Sequence, residues 1–442
     1  MPRKRVKRSI TEREIKKTLI RRFWMYEIKD RLIFKEVRSD NGITIHSYPM
    51  DVPFASIILN VPFGHANNTG KILPGSAHFL EHLILSCSKL YPESKSFIKM
   101  VNIKSGNINA ITGNFNTLFV LTVRADIFCE MLKGLVSHVF HPIFRQDDLE
   151  LERGIVSNER KIDERWFPGT NELENYLSTD WKYNMPCSLR QKLGYDSDVA
   201  DITLEYLEDI HKHYFDLKTF ALIGGNFDLD SVCKIITSGK VEANNGKPEG
   251  KYEKVRWINK NYHEKSFNDV SRFIYYLGGF KHSVDLRTLT CVEFIGKLLT
   301  DPVTGILYEW LREEKGWVYD IGFYYDANKM ESFWELDIPL NNLEQVEFVR
   351  KEIDNKIVGA IQDKKKVSDG IERYKSASVF NYQTLDSIMY VAASSLFTHG
   401  RIVSESESLG LLDSCKDPEF LLYVYENYFS PHVRGEFLAK PQ

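Results

Sequence analysis

Two periods of apolar and polar positions alternate along the chain, and the switches between them mark its elements. Gly42–His46 and Ala55–Val61 are rich in β-branched residues and predict strands. The Asn, Gly and Pro content of Asn67–Gly75 predicts a loop. A helix should follow, with Ser76 able to cap it and good helix formers through Ala77–Leu85. Asn109–Val123 reads as a strand pair around a Gly113-Asn114 turn, and Ala125–His138 has helical spacing through Ile127, Met131, Leu132 and Leu135. His141-Pro142 ends that helix. A charged helix runs from Gln146 to about Asp163, with Leu149, Ile155 and Val156 on its apolar side. Asp196–Phe215 is a further helical tract, and Phe220–Asn226 a strand.

Thr237–Tyr252 breaks this pattern. It is rich in Gly, Lys, Asn and Glu and reads as a surface linker. Beyond it come a strand at Ser271–Leu277, helices at Leu289–Leu299 and Ile306–Glu314, strands at Val318–Tyr325 and Ser332–Leu340, and a helix over Leu343–Ile361. Strand, helix, paired strands and long helix thus recur in both halves, which points to a distant internal duplication, with a period too long for a solenoid. The expected division is a basic extension over 1–30, a first domain over 31–238, a linker over 239–253 and a second domain over 254–442.

With 442 residues, 43% of them hydrophobic, the chain can bury more than one core. No apolar run approaches the ~20 residues that a membrane-crossing helix needs. The formal net charge of -3 denies the whole molecule the positive field that dominates nucleic-acid binding. Six cysteines, at 87, 129, 187, 233, 291 and 415, form no CxxC, so a thiolate metal site is not indicated and a reducing compartment is the simpler expectation. The first 22 residues hold ten Lys and Arg against two Glu, with no apolar segment after them, unlike a secretory signal. Glu12, Glu14 and a lone Ser9 also fit a mitochondrial presequence badly, leaving a solvated basic helix as the competing reading. The expected compartment is the cytoplasm, with the mitochondrial matrix as alternative.

The strongest chemical signal is His78-Phe79-Leu80-Glu81-His82, an inverted His-x-x-Glu-His pattern. On a helix, positions i and i+4 share a face, so both imidazoles can reach one ion, and Glu81 points to the same side. Zn²⁺ takes neutral imidazole and oxygen ligands with one position left open, and a nearby carboxylate can accept a proton from water there. Such a pattern arises by accident at a rate of ~0.02 per chain of this length, and a third ligand is still needed. Glu152 and Glu159 on the charged helix are two turns apart, hence on one face, although such a pair taken alone is a solvated acidic face. His211-Lys212-His213 could form a metal pair, but i and i+2 face apart on a helix, which favours a surface or core-edge role. Cys87 lacks a charged neighbour that would lower its pKa and reads as a small buried hydrophobe.

Together these residues resemble the pitrilysin family of metallopeptidases, which includes insulin-degrading enzyme and the mitochondrial processing peptidase. His82 and Glu159 have the separation that the family shows between its zinc helix and a Glu-x6-Glu helix. Pro74–His82 resembles the entry into that helix, Ser105–Thr112 the family's Gly-x-x-Asn-Ala-x-Thr strand, and Leu311–Tyr319 its Arg-x6-Tyr element. The resemblance implies an α+β fold of two similar domains, each a mainly antiparallel sheet packed with helices, together forming half of a clamshell. It implies one Zn²⁺ held by His78, His82 and Glu159, with Glu81 as general base and Glu152 as a supporting acid. Asn109 and Ala110 would meet the substrate backbone, and Arg312 and Tyr319 would reach it from the second domain. The implied activity is zinc-dependent endopeptidase cleavage of peptides, or processing of a precursor or leader peptide, in a chamber closed by a homodimer or a heterodimer with a related chain. A non-catalytic partner subunit is the alternative, and nucleic acid is not an expected partner. Ser86-Cys87-Ser88, where the family often has Gly-Thr, and Phe119, where it often has Tyr, depart from its pattern. At the matching helix of the second half, Leu289–Phe294 carries no ligand motif.

Overall fold

The computed structural model describes residues 32–40, 42–67, 72–113, 116–166, 183–184, 193–194, 196–215, 220–239, 256–257, 262–268, 270–282, 285–327 and 331–442. The expected extension over 1–30, the 239–253 linker apart from Gly239, and Asn114 of the predicted turn lie outside them. Strands in the first half are β1 (Lys35–Arg38), β2 (Thr44–Pro49), β3 (Phe54–Val61), β4 (Asn107–Thr112), β5 (Thr117–Arg124), β6 (Tyr183–Asn184) and β7 (Phe220–Gly225). Those of the second half are β8 (Arg256–Trp257), β9 (His263–Phe267), β10 (Phe273–His282), β11 (Gly322–Ala327), β12 (Glu331–Leu340) and β13 (Gly435–Pro441).

The first sheet runs β1-β2-β7-β3-β5-β4, and the second, from its β9 edge, β9-β13-β10-β12-β11. Leaving β1 aside, both follow one topology. The strand that comes last in each half inserts between the first two, parallel to the first, and every other neighbouring pair is antiparallel. The fold is therefore α+β, and its repeated strand order agrees with an internal duplication.

The helices that matter for the site are α1 (Ser76–Ile84), α2 (Ser96–Ile103), α3 (Phe128–Phe140), α4 (Gln146–Trp166) and α5 (Leu204–Tyr214). In the second half, α6 (Leu286–Thr300) and α7 (Leu343–Gln362) cover the inner face of the sheet, and α8 (Leu385–His399) crosses to the first half. β3 is central and buried along its length, so it reads as a nearly continuous apolar run. Ile57 and Leu59 face Phe79, Leu83, Leu132 and Leu135 on one side of the sheet. Ile58, Val120 and Leu222 meet Leu385, Met389 and Ala392 of α8 on the other. Burying a side chain of this size contributes about 1.5–3 kcal/mol, so the two sets hold the sheet from both faces.

In the second core, Tyr275 and Leu277 of β10 and Leu336 and Ile338 of β12 pack against Val292, Ile295, Ile353 and Ile357. Arg434, 1% exposed, is offset by Asp354 and Glu436, each 2.9 Å from its Nη2. Cys291 and Cys415 are free thiols whose sulfurs lie 3.1 Å apart in this core.

Some boundaries differ from the sequence expectation. The strand predicted over Val318–Tyr325 begins at Gly322, which leaves Tyr319 in the preceding loop. The Asp196–Phe215 tract splits after Asp201, and Thr203 caps α5 by accepting from the Tyr206 N–H. The helix at Ile306–Glu314 is a short α segment, Ile306–Tyr308, that widens into a π-helical turn over Glu309–Glu314.

Candidate metal centre

α1 is amphipathic in a way that serves the site. Phe79, Leu80, Leu83 and Ile84 are buried in the first core, while His78, Glu81 and His82 form one half-buried strip. Its start differs from the expectation. The N-cap is Gly75, not Ser76, at φ +83°, and a Cβ there would lie 2.6 Å from the Leu193 carbonyl oxygen. Ser76 instead donates to the Leu73 carbonyl and lies 2.8 Å from the Tyr206 hydroxyl, which also accepts from the Leu73 N–H.

α4 lies against α1 and presents Leu149, Glu152 and Val156 inward at helical spacing. Glu152 is thus a carboxylate set into an apolar face. Arg153 donates to the carbonyls of Val199 and Ile202, fixing the roll of α4. One Glu159 oxygen then lies 3.0 Å from His78 Nε2 and 3.6 Å from His82 Nε2. The other nitrogens face outer carboxylates: His82 Nδ1 is 2.9 Å from Glu152 Oε2, and His78 Nδ1 3.6 Å from Glu81 Oε2. Glu152 binds Lys95 Nζ at 2.9 Å through its second oxygen, and Glu81 accepts a hydrogen bond from Thr112.

His78, His82 and Glu159 each offer a ligand atom within 4.8 Å of the others. Two atoms about 2.0–2.2 Å from one tetrahedral zinc lie about 3.3–3.6 Å apart, so the two imidazole–Glu159 spacings, 3.0 and 3.6 Å, fit the ion with small adjustments. The donor set fits as well, since two imidazoles and a carboxylate suit Zn²⁺, and Glu152 on the far nitrogen of His82 holds that ring in register. Exposure separates the two acids of α4. The Glu159 side chain is 41% exposed and Glu152 only 3%, so the first faces the open side and the second is enclosed behind His82.

The electrostatics are those of a gathered cluster of opposite charges. Burial works to lower the His78 pKa, but the charge of the neighbouring Glu81 and the hydrogen bond and charge of Glu159 outweigh it, and the net shift is upward. Burial works to raise Glu81, yet the neighbouring His78 imidazole, the hydrogen bond from Thr112 and the charge of His82 carry it down. Glu152 also falls, because His82 and Lys95 overcome its burial.

The remaining predicted residues divide. Asn109 is exposed on β4, the edge strand of its sheet, whereas Ala110 is half-buried against the first core. Strand alternation puts Ala110 on the Thr112 face, the one toward Glu81, and Asn109 on the opposite face. Arg312 donates to the Tyr319 carbonyl, and its guanidinium lies 4.7 Å over the Tyr319 ring and 4.8 Å over Tyr308. Among the described residues, the partners of Arg312 belong to its own half. His211 sits at the core edge, 2.8 Å from the Val139 carbonyl, and burial pulls its pKa down to about 4. Cys87 is buried, and that burial, with its hydrogen bond to Asp148, pushes the thiol up to about 11.

Thr112, Lys95 and Tyr206 are site-supporting residues that the sequence reading missed. Thr112 lay inside the quoted strand motif, two positions after Ala110 and hence on the same face. Nothing local marked the other two.

Against known proteins, residues 45–188 match the profile described as Insulinase (Peptidase family M16), and residues 201–366 that described as Peptidase M16 inactive domain. The chain belongs to the M16, or pitrilysin, family of peptidases. It is 31% identical over 133 residues to Protease 3 of Escherichia coli (strain K12), covering 30% of this chain and 14% of that protein. It is likewise 31% identical over 110 residues to the peroxisomal insulin-degrading enzyme-like 1 of Arabidopsis thaliana, covering 25% of this chain and 10% of the relative. The matched stretch thus spans a small fraction of these relatives' length. Among solved structures, a protease from Helicobacter pylori superposes with a TM-score of 0.76 at 17% identity, covering 92% of this chain and 99% of that one. A peptidase M16 inactive domain from Pseudomonas fluorescens gives 0.75 at 13% identity, covering 93% and 98%. These likenesses bear on the fold. Among the described residues, no helix is long and apolar enough to cross a membrane.

Proposed function

We propose that this M16-family chain is a zinc-dependent endopeptidase acting on peptides, either by general cleavage or by trimming a precursor or leader. The observation that carries the reading is the convergence of His78 Nε2, His82 Nε2 and one Glu159 oxygen, with separations of 3.0 and 3.6 Å to that oxygen. A Zn²⁺ held by these three residues would supply a water of lowered pKa and a Lewis acid for the scissile carbonyl. Glu81, on the same strip of α1 and fixed by Thr112, takes a proton from the attacking water and returns it to the leaving amine. Glu152 orients His82 through Nδ1.

The substrate lies along the β4 edge as an added strand, gripped by main-chain hydrogen bonds around Asn109 and Ala110. Arg312 holds a substrate carbonyl, and the Tyr319 phenol, on a side chain 76% exposed, stabilises the oxyanion. In this reading residues 31–238 are the catalytic domain and 254–442 the non-metal domain that supplies the Arg-Tyr pair. A second half-clamshell, from an identical or related chain, closes the chamber.

The test combines metal analysis with peptide hydrolysis. The purified chain should hold one zinc, lose cleavage of an unstructured peptide library with a chelator and regain it with Zn²⁺. Glu81→Gln should keep the metal and lose cleavage by about 10²–10⁴-fold. A wild-type chain without stoichiometric zinc removes the ligand assignment, and an active Glu81→Gln removes the base. A chain that binds zinc but cleaves only with a second, related chain present would make it a partner subunit.

A further inference from the structure

Lys95 has an unusual backbone for a lysine, φ +57°, in the left-handed region that costs an L-residue roughly 1–2 kcal/mol. Several bonds hold it there. Its N–H donates to the Ser86 carbonyl just beyond α1, at 2.7 Å, and its carbonyl accepts the Lys99 N–H at 3.0 Å to open α2. Its ammonium meets Glu152 Oε1 at 2.9 Å, while Glu152 Oε2 is 2.9 Å from His82 Nδ1. The preceding residue, Ser94, donates to Asp148, one turn before Glu152 on α4. A two-residue clasp thus ties the end of α1 to α4, the two helices that carry the candidate ligands.

We propose that Lys95 is a positioning residue that locks the Glu152 carboxylate onto His82 and thereby sets the metal affinity of the centre. The proposal rests on the zinc reading above. Glu152 is 3% exposed and the Lys95 side chain 36%, so the ammonium reaches Oε1 from the solvent side and is the cation that this buried carboxylate meets there. Without the ammonium, the carboxylate has one anchor instead of two and can turn away from Nδ1, and His82 loses the contact that aims its Nε2 at Glu159. Backbone strain kept at a site-facing residue agrees with a functional contact. Ser94 supplies the control, because it braces the same helices without touching the His82–Glu152 pair.

The experiment uses the full chain with Lys95→Met, Lys95→Gln, Lys95→Arg and Ser94→Ala. Zinc affinity is read by competition with a chromogenic chelator, fold by circular dichroism and Tm of the metal-free protein, and turnover as separate kcat and KM. Outer partners of metal-binding histidines set affinity by about 10–100-fold. Lys95→Met should weaken zinc by that factor, Lys95→Arg should restore most of it, and Ser94→Ala should lower Tm with zinc affinity unchanged. Lys95→Gln, which keeps a donor and loses the charge, carries the test if Lys95→Met fails to fold. Wild-type affinity in Lys95→Met, or an equal loss in Ser94→Ala, overturns the proposal while leaving the zinc reading intact. Failure of the wild-type chain to bind zinc overturns both and is seen before any variant is compared.

Discussion

Replacing Thr112 by Val isolates the contact between β4, the edge that the proposed substrate extends, and the proposed base. Valine keeps the β-branched shape on β4, so strand propensity and packing change little and the hydroxyl is what is removed. The Glu81 side chain is 12% exposed, and its Oε2 accepts from Thr112 and faces His78 Nδ1 at 3.6 Å, beyond a good hydrogen bond. Thr112 is therefore its one short described tether. A hydrogen bond to a charged group is worth about 1.5–3 kcal/mol. If that tether orients the carboxylate for proton transfer, its loss should lower kcat by roughly 10- to 150-fold, at 1.36 kcal/mol per tenfold. Zinc content should not change, since none of the three candidate ligands touches Thr112 in the contacts described. The assay is steady-state cleavage of a quenched fluorescent peptide with metal analysis of the same sample, and Thr112→Ser as the variant that restores the hydroxyl. A Thr112→Val enzyme with wild-type kcat refutes the tether, and one that loses zinc relocates the role of Thr112 to the metal.

Tyr319→Phe should lower kcat about 10²-fold if the phenol stabilises the oxyanion; Tm should not move, because the side chain is 76% exposed. Gly75→Ala combines φ +83° with a Cβ 2.6 Å from the Leu193 carbonyl oxygen; it should destabilise by more than about 2 kcal/mol, read as a lower denaturation midpoint, and an unchanged midpoint would contradict the packing described. His138 is wholly buried, stacks on Phe97 at 4.8 Å, and is held by its burial at about 4 against an ordinary 6.5. The unfolded chain therefore takes the proton first: above 6.5 the residue adds no pH dependence, and between 6.5 and about 4 it removes roughly 3 kcal/mol of stability as pH falls. His138→Phe should flatten the urea midpoint against pH in that window relative to wild type.

How much of this was legible in the sequence depends on distance along the chain. The strip of His78, Glu81 and His82 follows from helical spacing within five residues, and the apolar residues between them already demanded a helix with one buried side. Glu152 and Glu159 could be paired with that strip only through the family pattern, because nothing in their own helix says what it packs against. One signal was present there. Glu152 falls between Leu149 and Val156 on the inward face, and a carboxylate on an apolar face needs a buried partner. β13 and α8 were not predicted as elements, and neither of their positions is local. β13 enters the second sheet between β9 and β10, more than 150 residues after them, and α8 covers the far face of the first sheet.

The same distance rule explains the supporting residues. Lys95 follows Ser94 in a loop, and its sequence neighbourhood carries no signature of a metal centre. Its importance comes from two simultaneous contacts, one to the end of α1 and one to α4, 57 residues further on. Periodicity records which face an element turns inward, since that is imposed on every turn of the helix or pleat of the strand. A clasp of this kind is imposed once, at a single position, and a single lysine is indistinguishable from any other solvated one until the two helices have packed. The strip of His78, Glu81 and His82 is therefore readable from periodicity, whereas the residues that hold the proposed centre at working distances are readable only from the folded chain.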